Sequence, residues 1–141
     1  MPEQIFFSRS EEETIAAGRE IAAGLRPPVL VLLIGDLGSG KTTLAKGIIS
    51  GLGAAPVEDV VSPTFTLIHE FGSRPKVFHI DLYRLDCAPE METLGLDDLW
   101  DQDAVVLIEW GEKFAERLPG ERVEVHLEYC GPEERRIRVV W

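Results

Sequence analysis

The sequence predicts an α/β fold of three layers, α/β/α, with a mixed central sheet and a β-hairpin at the C-terminus. The run Val29–Ile34 is apolar throughout, which is typical of a parallel strand buried on both faces. A second apolar run, Ala104–Glu109, predicts another strand of this kind. The segments Arg122–Tyr129 and Arg135–Trp141 alternate apolar and polar residues around a turn, and this pattern predicts the hairpin.

The loop after the first apolar strand predicts nucleotide binding. Residues 35–42 read Gly-Asp-Leu-Gly-Ser-Gly-Lys-Thr, which fits the phosphate-binding pattern G-x-x-x-x-G-K-T. Glycines let the backbone bend around a phosphate and point its amides at it, and the following helix adds the positive end of its dipole. The fold is therefore predicted to be P-loop NTPase-like, with ATP and Mg²⁺ as cofactors. The residues expected to hold the phosphates are Gly38, Ser39, Gly40, Lys41, Thr42 and Thr43.

Four side chains of the predicted site carry specific roles. Lys41 is expected to reach the β- and γ-phosphates, and the Thr42 hydroxyl is expected to bind Mg²⁺. Glu109 ends the second apolar strand, as a Walker B acid does, and is the candidate Mg²⁺ ligand through a water. Asp81 ends the predicted strand Lys76–Asp81, and we assign it the attacking water. Spacing alone leaves open which carboxylate serves the metal and which the water.

The residue after the Walker B acid suggests an incomplete catalytic site. Many P-loop ATPases carry a catalytic carboxylate there, but this chain has Trp110, which cannot take a proton. The catalytic assignment therefore consists of Asp81 and Lys41, and no arginine finger can be assigned. We hypothesise slow intrinsic hydrolysis that a protein partner raises by completing the site.

The segment Ser62-Pro63-Thr64-Phe65-Thr66 follows the connector after the P-loop helix. Hydroxyl groups at this place can sense a γ-phosphate or its Mg²⁺, so Ser62, Thr64 and Thr66 are candidate switch residues. A turn before a strand explains the same residues equally well. His79 lies two residues before Asp81 on the same strand face, and a structural role is the commoner one for such a histidine.

The remaining pattern predicts elements around this site. Ser10 and Glu13 form a capping box that begins a helix. The predicted elements are an edge strand Gln4–Phe7, a helix from Ser10 to about Leu25, a P-loop helix to about Leu52, a hairpin of Thr66–Phe71 and Lys76–Asp81, a helical segment Pro89–Trp100 split at Gly95, and a helix Gly111–Leu118.

Composition limits the classes of function. The 141 residues suit one domain, residues 1–141, and the formal net charge is −11, so strong direct binding to nucleic acid is not expected. Cys87 and Cys130 lie far apart and suggest reduced thiols in a cytoplasm. Residues 1–4 lack the basic region of a signal peptide, and no apolar run is long enough to span a membrane. A cytoplasmic location is therefore expected.

Four motifs together resemble one family. The segments are Gly35–Thr43, Ser62–Leu67, His79–Leu85 and Leu107–Trp110, and their order and spacing are similar to those of the TsaE family, formerly YjeE. The P-loop alone would be unspecific, whereas the combination is highly specific. The resemblance covers most of the chain from about Ser10 to Trp141.

The resemblance implies an ATPase that takes part in making N6-threonylcarbamoyladenosine in tRNA. It implies the partners TsaB and TsaD, whose complex performs the carbamoyl transfer. The tRNA would be bound mainly by these partners. It also implies Thr42 and Glu109 as the metal residues and a switch loop over Ser62–Thr66. Adenine contacts in the family come from the N-terminal segment and the C-terminal hairpin, which makes Ser10, Glu11 and Arg135 candidates. Ser39 stands where alanine is more usual.

Two other functions remain open at this point. A small-molecule kinase could use the same loop, but it usually needs a lid that carries several arginines, and the arginines here are scattered. A nucleotide-gated, non-catalytic binding module is the second alternative.

Overall fold

Residues 2–36, 38–63, 66–100 and 102–141 are described by the structure, a computed structural model, and they form seven strands and four α-helices. The strands are β1 (Glu3–Ser8), β2 (Val29–Ile34), β3 (Ile68–Phe71), β4 (Lys76–Asp81), β5 (Ala104–Glu109), β6 (Val123–Tyr129) and β7 (Arg135–Val140). The helices are α1 (Glu11–Gly24), α2 (Lys41–Gly51), α3 (Ala88–Glu92) and α4 (Asp97–Trp100). Short 3₁₀ helices cover Val57–Asp59 and Gly111–Arg117.

The strands form one mixed sheet in the order β1-β7-β6-β2-β5-β4-β3. Strand β2 runs parallel to β5 and β6, and β4 runs parallel to β5. The pairs β1–β7, β6–β7 and β3–β4 are antiparallel, which confirms the predicted hairpins and the edge position of β1. Because the four parallel strands share a direction, their carboxyl ends meet at one edge, where α/β sheets place ligands.

Helices cover both faces of the sheet, which confirms the three-layer prediction. Helices α1 and α2 pack on one face, and α3, α4 and the 3₁₀ helix Gly111–Arg117 pack on the other. The largest fully buried apolar side chains are Ile21, Leu32, Leu33, Leu44, Ile48, Ile49, Ile80, Leu82, Leu107, Ile108 and Ile137. Within the described ranges, no helix has the length and apolar character needed to cross a membrane.

Helix α1 begins as predicted, with one difference in its cap. The Ser10 hydroxyl accepts a hydrogen bond from the Glu13 amide at 3.0 Å. The Glu13 carboxylate accepts from the amide of Arg9 at 3.3 Å, one residue before the position that a standard capping box uses. Three glutamates in the first turn suit the positive end of the helix dipole.

Local backbone geometry changes two predicted elements and confirms a third. Strand β3 begins at Ile68 rather than Thr66, because Leu67 has a left-handed φ of 70° that extended backbone excludes. The predicted helix Gly111–Leu118 is a 3₁₀ helix over Gly111–Arg117, kinked at Phe114, where φ and ψ are not helical. The predicted break at Gly95 is confirmed, since this glycine has a φ of 69° and separates α3 from α4.

Helices α1 and α2 touch through their backbones. A Cβ atom on Gly18 would lie 2.6 Å from the carbonyl oxygen of Leu44 and 2.8 Å from the amide nitrogen of Ile48. A Cβ atom on Gly47 would overlap the carbonyl oxygen of Ile15. Both positions therefore exclude any larger residue unless the helices move apart.

The substitution Gly47→Ala tests this close contact. Helix propensity alone favours alanine by about 1 kcal/mol, but overpacking against a backbone carbonyl typically costs about 1–3 kcal/mol. We expect a net loss of stability, measured as the free energy of unfolding in urea. The control Gly120→Ala places a Cβ in open space and should change stability by less than about 0.5 kcal/mol. A Gly47→Ala variant as stable as the wild type would contradict the contact.

Candidate nucleotide-binding site

The P-loop, residues 35–42, connects β2 to α2 as predicted. Gly38 and Gly40 have φ values of 80° and 103°, which side-chain-bearing residues rarely adopt. Gly40 is the N-cap of α2, and no side chain of the described residues caps this helix end. The first amides of α2 are therefore left for an outside acceptor, and a phosphate oxygen is the acceptor that such a helix end favours.

Lys41 is buried at the base of this loop and is only 4% exposed. Its Nζ donates to the carbonyl oxygen of Gly35 at 2.5 Å and lies 3.4 Å from the centre of the Trp110 ring. A cation over an aromatic face at this distance is a favourable contact. The loop's own carbonyl and the indole ring thus receive the ammonium group.

The environment of Lys41 lowers its pKa below the ordinary value of 10.5. Burial is the main cause, because the charged form loses hydration. Carboxylates oppose the shift without cancelling it, and they are Glu112, Glu109, Asp81 and Asp36, in order of decreasing effect.

The two predicted metal residues are in contact. The Thr42 hydroxyl donates to the Glu109 carboxylate, with distances of 3.1 Å to Oε1 and 3.0 Å to Oε2. His79 Nε2 lies 2.6 Å from Glu109 Oε2. Glu109 is 3% exposed and ends β5, beneath the first turn of α2. The structure therefore brings Thr42 and Glu109 together at the carboxyl edge of the sheet.

Asp81 lies beside Glu109, since the two residues are register partners on the parallel strands β4 and β5. Its Oδ1 accepts from the amide of Tyr83 at 2.8 Å, which fixes the orientation of the carboxylate. Its Oδ2 accepts from the Ser62 hydroxyl at 3.3 Å. One predicted switch residue thus contacts one predicted catalytic residue directly.

The other switch candidates are placed differently. Thr66 is exposed, and its hydroxyl lies 2.7 Å from Nε2 of His69 on the edge strand β3. Thr64 lies outside the described residues. The role of this segment as a switch stays a prediction.

The C-terminal hairpin reaches the P-loop from the β6 side. The Tyr129 hydroxyl donates to the carbonyl oxygen of Gly38, and the Arg135 guanidinium lies 5.3 Å from the Tyr129 ring centre. Arg135 Nε would lie 3.2 Å from a Cβ on Gly40 and is buried with no hydrogen-bond partner among the described residues. Arg135 is thus placed beside the loop, where a nucleotide contact is possible.

The remaining predicted binding residues have defined surroundings but no test of their role. Ser39 is buried, and its hydroxyl has no hydrogen-bond partner within the described part of the chain. Thr43 is half-buried in the first turn of α2. The Ser10 hydroxyl is used in capping α1, and Glu11 is exposed beside it. Adenine binding by Ser10, Glu11 and Arg135 stays a prediction.

Sequence reasoning missed the contacts that two aromatic residues, Trp110 and Tyr129, make in the site. Trp110 has a left-handed φ of 64°, its ring lies against Lys41, and Tyr83 packs on it with ring centres 5.0 Å apart. Tyr129 holds the P-loop carbonyl of Gly38. Their positions in the sequence could have indicated a role in the site, because Trp110 and Tyr129 stand at the carboxyl ends of β5 and β6, the strands that flank β2.

The lowered pKa of Lys41 makes a prediction about stability and pH. The folded protein releases this proton at a lower pH than the unfolded chain, so the unfolded chain binds more protons between the lowered pKa and 10.5. The free energy of unfolding of the wild type relative to Lys41→Met should therefore rise with pH across that window. Urea denaturation of both proteins, from neutral pH to the ordinary lysine pKa of 10.5, measures this difference in the free energy of unfolding.

The same substitution at Lys46, half-buried on α2, controls for the general loss of a lysine from this helix. If the free energy of unfolding of the wild type relative to Lys41→Met stays constant or falls with pH, burial does not lower the pKa of Lys41.

Comparison with known proteins assigns the chain to a family. A family model described as "Threonylcarbamoyl adenosine biosynthesis protein TsaE" matches residues 8–137. The tRNA threonylcarbamoyladenosine biosynthesis protein TsaE of Bacillus subtilis is 42% identical over 128 residues, which are 89% of this chain and 78% of that protein. The protein of the same name from Treponema pallidum is 35% identical over 132 residues, covering 94% of this chain and 96% of the relative.

A solved structure agrees with this assignment. The crystal structure of Bacillus subtilis YdiB matches with a TM-score of 0.79 and 32% identity, over 98% of this chain and 84% of that one. The sheet order, the P-loop geometry and the contact between Thr42 and Glu109 are all accounted for by a P-loop NTPase-like fold. This chain belongs to the TsaE family.

Proposed function

We propose that this protein binds and hydrolyses ATP with Mg²⁺ and serves in making N6-threonylcarbamoyladenosine in tRNA, acting on a complex of TsaB and TsaD. The observation that carries the ATPase part is the convergence of Lys41, Thr42, Asp81 and Glu109 at one sheet edge under an uncapped helix N-terminus. The tRNA part is supported by family membership, since the matched relatives carry that pathway in their names.

The residues present fit a nucleotide-bound Mg²⁺ ion. Thr42 and Glu109 offer a hydroxyl and a carboxylate in mutual contact, which are oxygen ligands of the kind that Mg²⁺ prefers. Among the described residues, no three His, Cys, Asp or Glu side chains form a cluster that could hold a metal alone. This arrangement suits an ion that shares its ligands with phosphates. When bound, Mg²⁺ supplies neutralisation of the charge on the phosphate oxygens.

The chain's own residues then perform separate tasks. Lys41 exchanges the carbonyl oxygen of Gly35 for phosphate oxygens, and the α2 amides stabilise the charge that develops on the transferred group. Asp81 orients the attacking water, since its carboxylate is already fixed by the amide of Tyr83. The contact from Ser62 to Asp81 gives the neighbouring loop a direct effect on that carboxylate.

The partner is expected to complete the site. Trp110 occupies the position where a second acid would accept a proton, and its indole instead receives the Lys41 ammonium. Tyr83 is 45% exposed beside this indole and leaves an aromatic surface at the rim of the site. The net charge of −11 disfavours direct contact with tRNA phosphates.

Substitutions at the two carboxylates separate hydrolysis from simple binding. Glu109→Gln should weaken the Mg²⁺ dependence of nucleotide binding, because the amide is a poorer partner for the metal's shell, and should lower the hydrolysis rate about 100-fold. Asp81→Asn should lower the hydrolysis rate by about 10²–10⁴-fold and leave nucleotide affinity nearly unchanged. Equilibrium binding of ADP with and without Mg²⁺, together with single-turnover ATP hydrolysis, measures both effects.

Glu121→Gln and Asp97→Asn are the matched controls, since both residues are exposed and lie outside the site. If Asp81→Asn and Glu109→Gln both support tRNA modification at the wild-type rate, hydrolysis is dispensable and the protein is a nucleotide-gated binding module.

Reconstitution tests the pathway. The isolated protein should hydrolyse ATP slowly in a single turnover, and addition of TsaB and TsaD should raise the rate by at least about tenfold, because the partner supplies what Trp110 cannot. Modified tRNA should accumulate over repeated rounds only when this protein and ATP are both present. Fast hydrolysis without partners would contradict the incomplete site, and a phosphorylated small molecule instead of free phosphate would indicate a kinase.

A further inference from the structure

His79 is a fully buried histidine that the mechanism above does not use. It lies in the middle of β4, between β3 and β5, and its side chain is 0% exposed. It stands two residues before Asp81, so the two side chains point to the same face of the sheet, toward α2. A polar ring in this position needs a strong partner, because burying it without a hydrogen bond costs free energy.

That partner is the metal carboxylate. Nε2 of His79 lies 2.6 Å from Oε2 of Glu109, a short distance that indicates a strong hydrogen bond. Because a carboxylate can only accept, the shared proton belongs to the ring, on Nε2. The other ring nitrogen, Nδ1, is buried and has no hydrogen-bond partner within the described residues, so the contact with Glu109 is what holds the ring.

Glu109 receives side-chain hydrogen bonds from two residues of the described chain, Thr42 and His79. The single proton of the Thr42 hydroxyl is shared between both carboxylate oxygens, at 3.1 and 3.0 Å, and the same hydroxyl would also have to offer a lone pair to Mg²⁺ in a nucleotide complex. His79 has no such second task. Its hydrogen bond holds Oε2 whichever orientation the Thr42 hydroxyl takes.

We propose that His79 is a positioning residue for the metal site: its Nε2–H holds Oε2 of Glu109 and keeps the carboxylate oriented toward Mg²⁺. This inference rests on the proposed function, since it concerns the same ATP–Mg²⁺ site. Loss of this contact should change the affinity for Mg²⁺ and not the affinity for the nucleotide, because His79 contacts the carboxylate of Glu109 rather than the P-loop. Outer hydrogen-bond partners of metal ligands typically change metal affinity by about 10–100-fold.

The test compares three substitutions at this position. His79→Met replaces the imidazole with an apolar chain of similar length and so removes the Nε2–H donor. His79→Gln places an amide N–H near the position of Nε2, whereas His79→Asn carries the same group on a chain too short to reach Glu109. His126→Met is the matched control, because His126 bonds to Glu124 on β6 and does not touch Glu109.

The measurement is the Mg²⁺ concentration that half-saturates the complex with ADP, alongside ADP affinity in excess chelator. In His79→Met the half-saturating Mg²⁺ concentration should rise about 10–100-fold. The affinity for ADP in excess chelator should stay within about twofold of the wild-type value. His79→Gln should recover most of the Mg²⁺ dependence and His79→Asn should not. His126→Met should behave as the wild type, and thermal unfolding reports on the fold of each variant.

The outcomes separate this inference from the proposed function. Wild-type Mg²⁺ dependence in His79→Met, or an equal loss of ADP affinity without Mg²⁺, would overturn the positioning role and leave the ATPase proposal standing. If His79→Met fails to fold, the Mg²⁺ dependence of His79→Gln is compared with that of His79→Asn. Equal Mg²⁺ dependence of these two variants would reject the positioning role of His79. A wild-type protein that binds no nucleotide at all would instead reject the proposed function.

Discussion

The hydrogen bonds from Thr42 to Glu109 join the P-loop helix to the central sheet, and the rest of the site depends on this contact. The two residues are separated by 67 positions in the chain and come from α2 and β5. Their contact places α2 over the carboxyl end of β5. Helix α2 also packs closely on α1, which the glycines at positions 18 and 47 allow, and this packing supports α2 in the position where the two predicted metal residues meet.

Several polar groups of the site are paired with one another. The ammonium of Lys41 is received by the carbonyl oxygen of Gly35 and the face of Trp110, and the Thr42 hydroxyl is received by Glu109. If the chain binds ATP as proposed, phosphate oxygens would replace the carbonyl oxygen of Gly35 at the Lys41 ammonium, so part of the interaction free energy would offset a contact that already exists. These contacts, with those from Ser62 and the Tyr83 amide to Asp81, keep the buried charges from standing alone, so a largely apolar sheet edge tolerates Lys41, Asp81 and Glu109 together.

The sequence was informative wherever structure follows from local pattern, and uninformative where residues distant in the chain meet. The P-loop, the apolar strands β2 and β5 and the cap at Ser10 all follow from neighbouring residues, and the structure agrees with them. The left-handed backbone at Leu67 and Trp110 has no such signal, since neither is a residue type that favours it. The contact of Tyr129 with Gly38 joins residues 91 positions apart, and no periodicity reports a contact of that kind.

The arrangement of the two carboxylates is compatible with the proposed control of this site by a protein partner. Asp81 and Glu109 are register partners on adjacent strands, so rigid sheet geometry fixes their backbones relative to each other. What can still change is the set of groups around them: Ser62 on the loop side of Asp81 and Trp110 directly after Glu109. Both belong to loop or strand-end backbone, which yields more easily than the sheet. Under the proposed function, a protein partner that docks on the rim formed by Tyr83 and Trp110 would act on these surrounding groups without disturbing the sheet that positions Asp81 and Glu109.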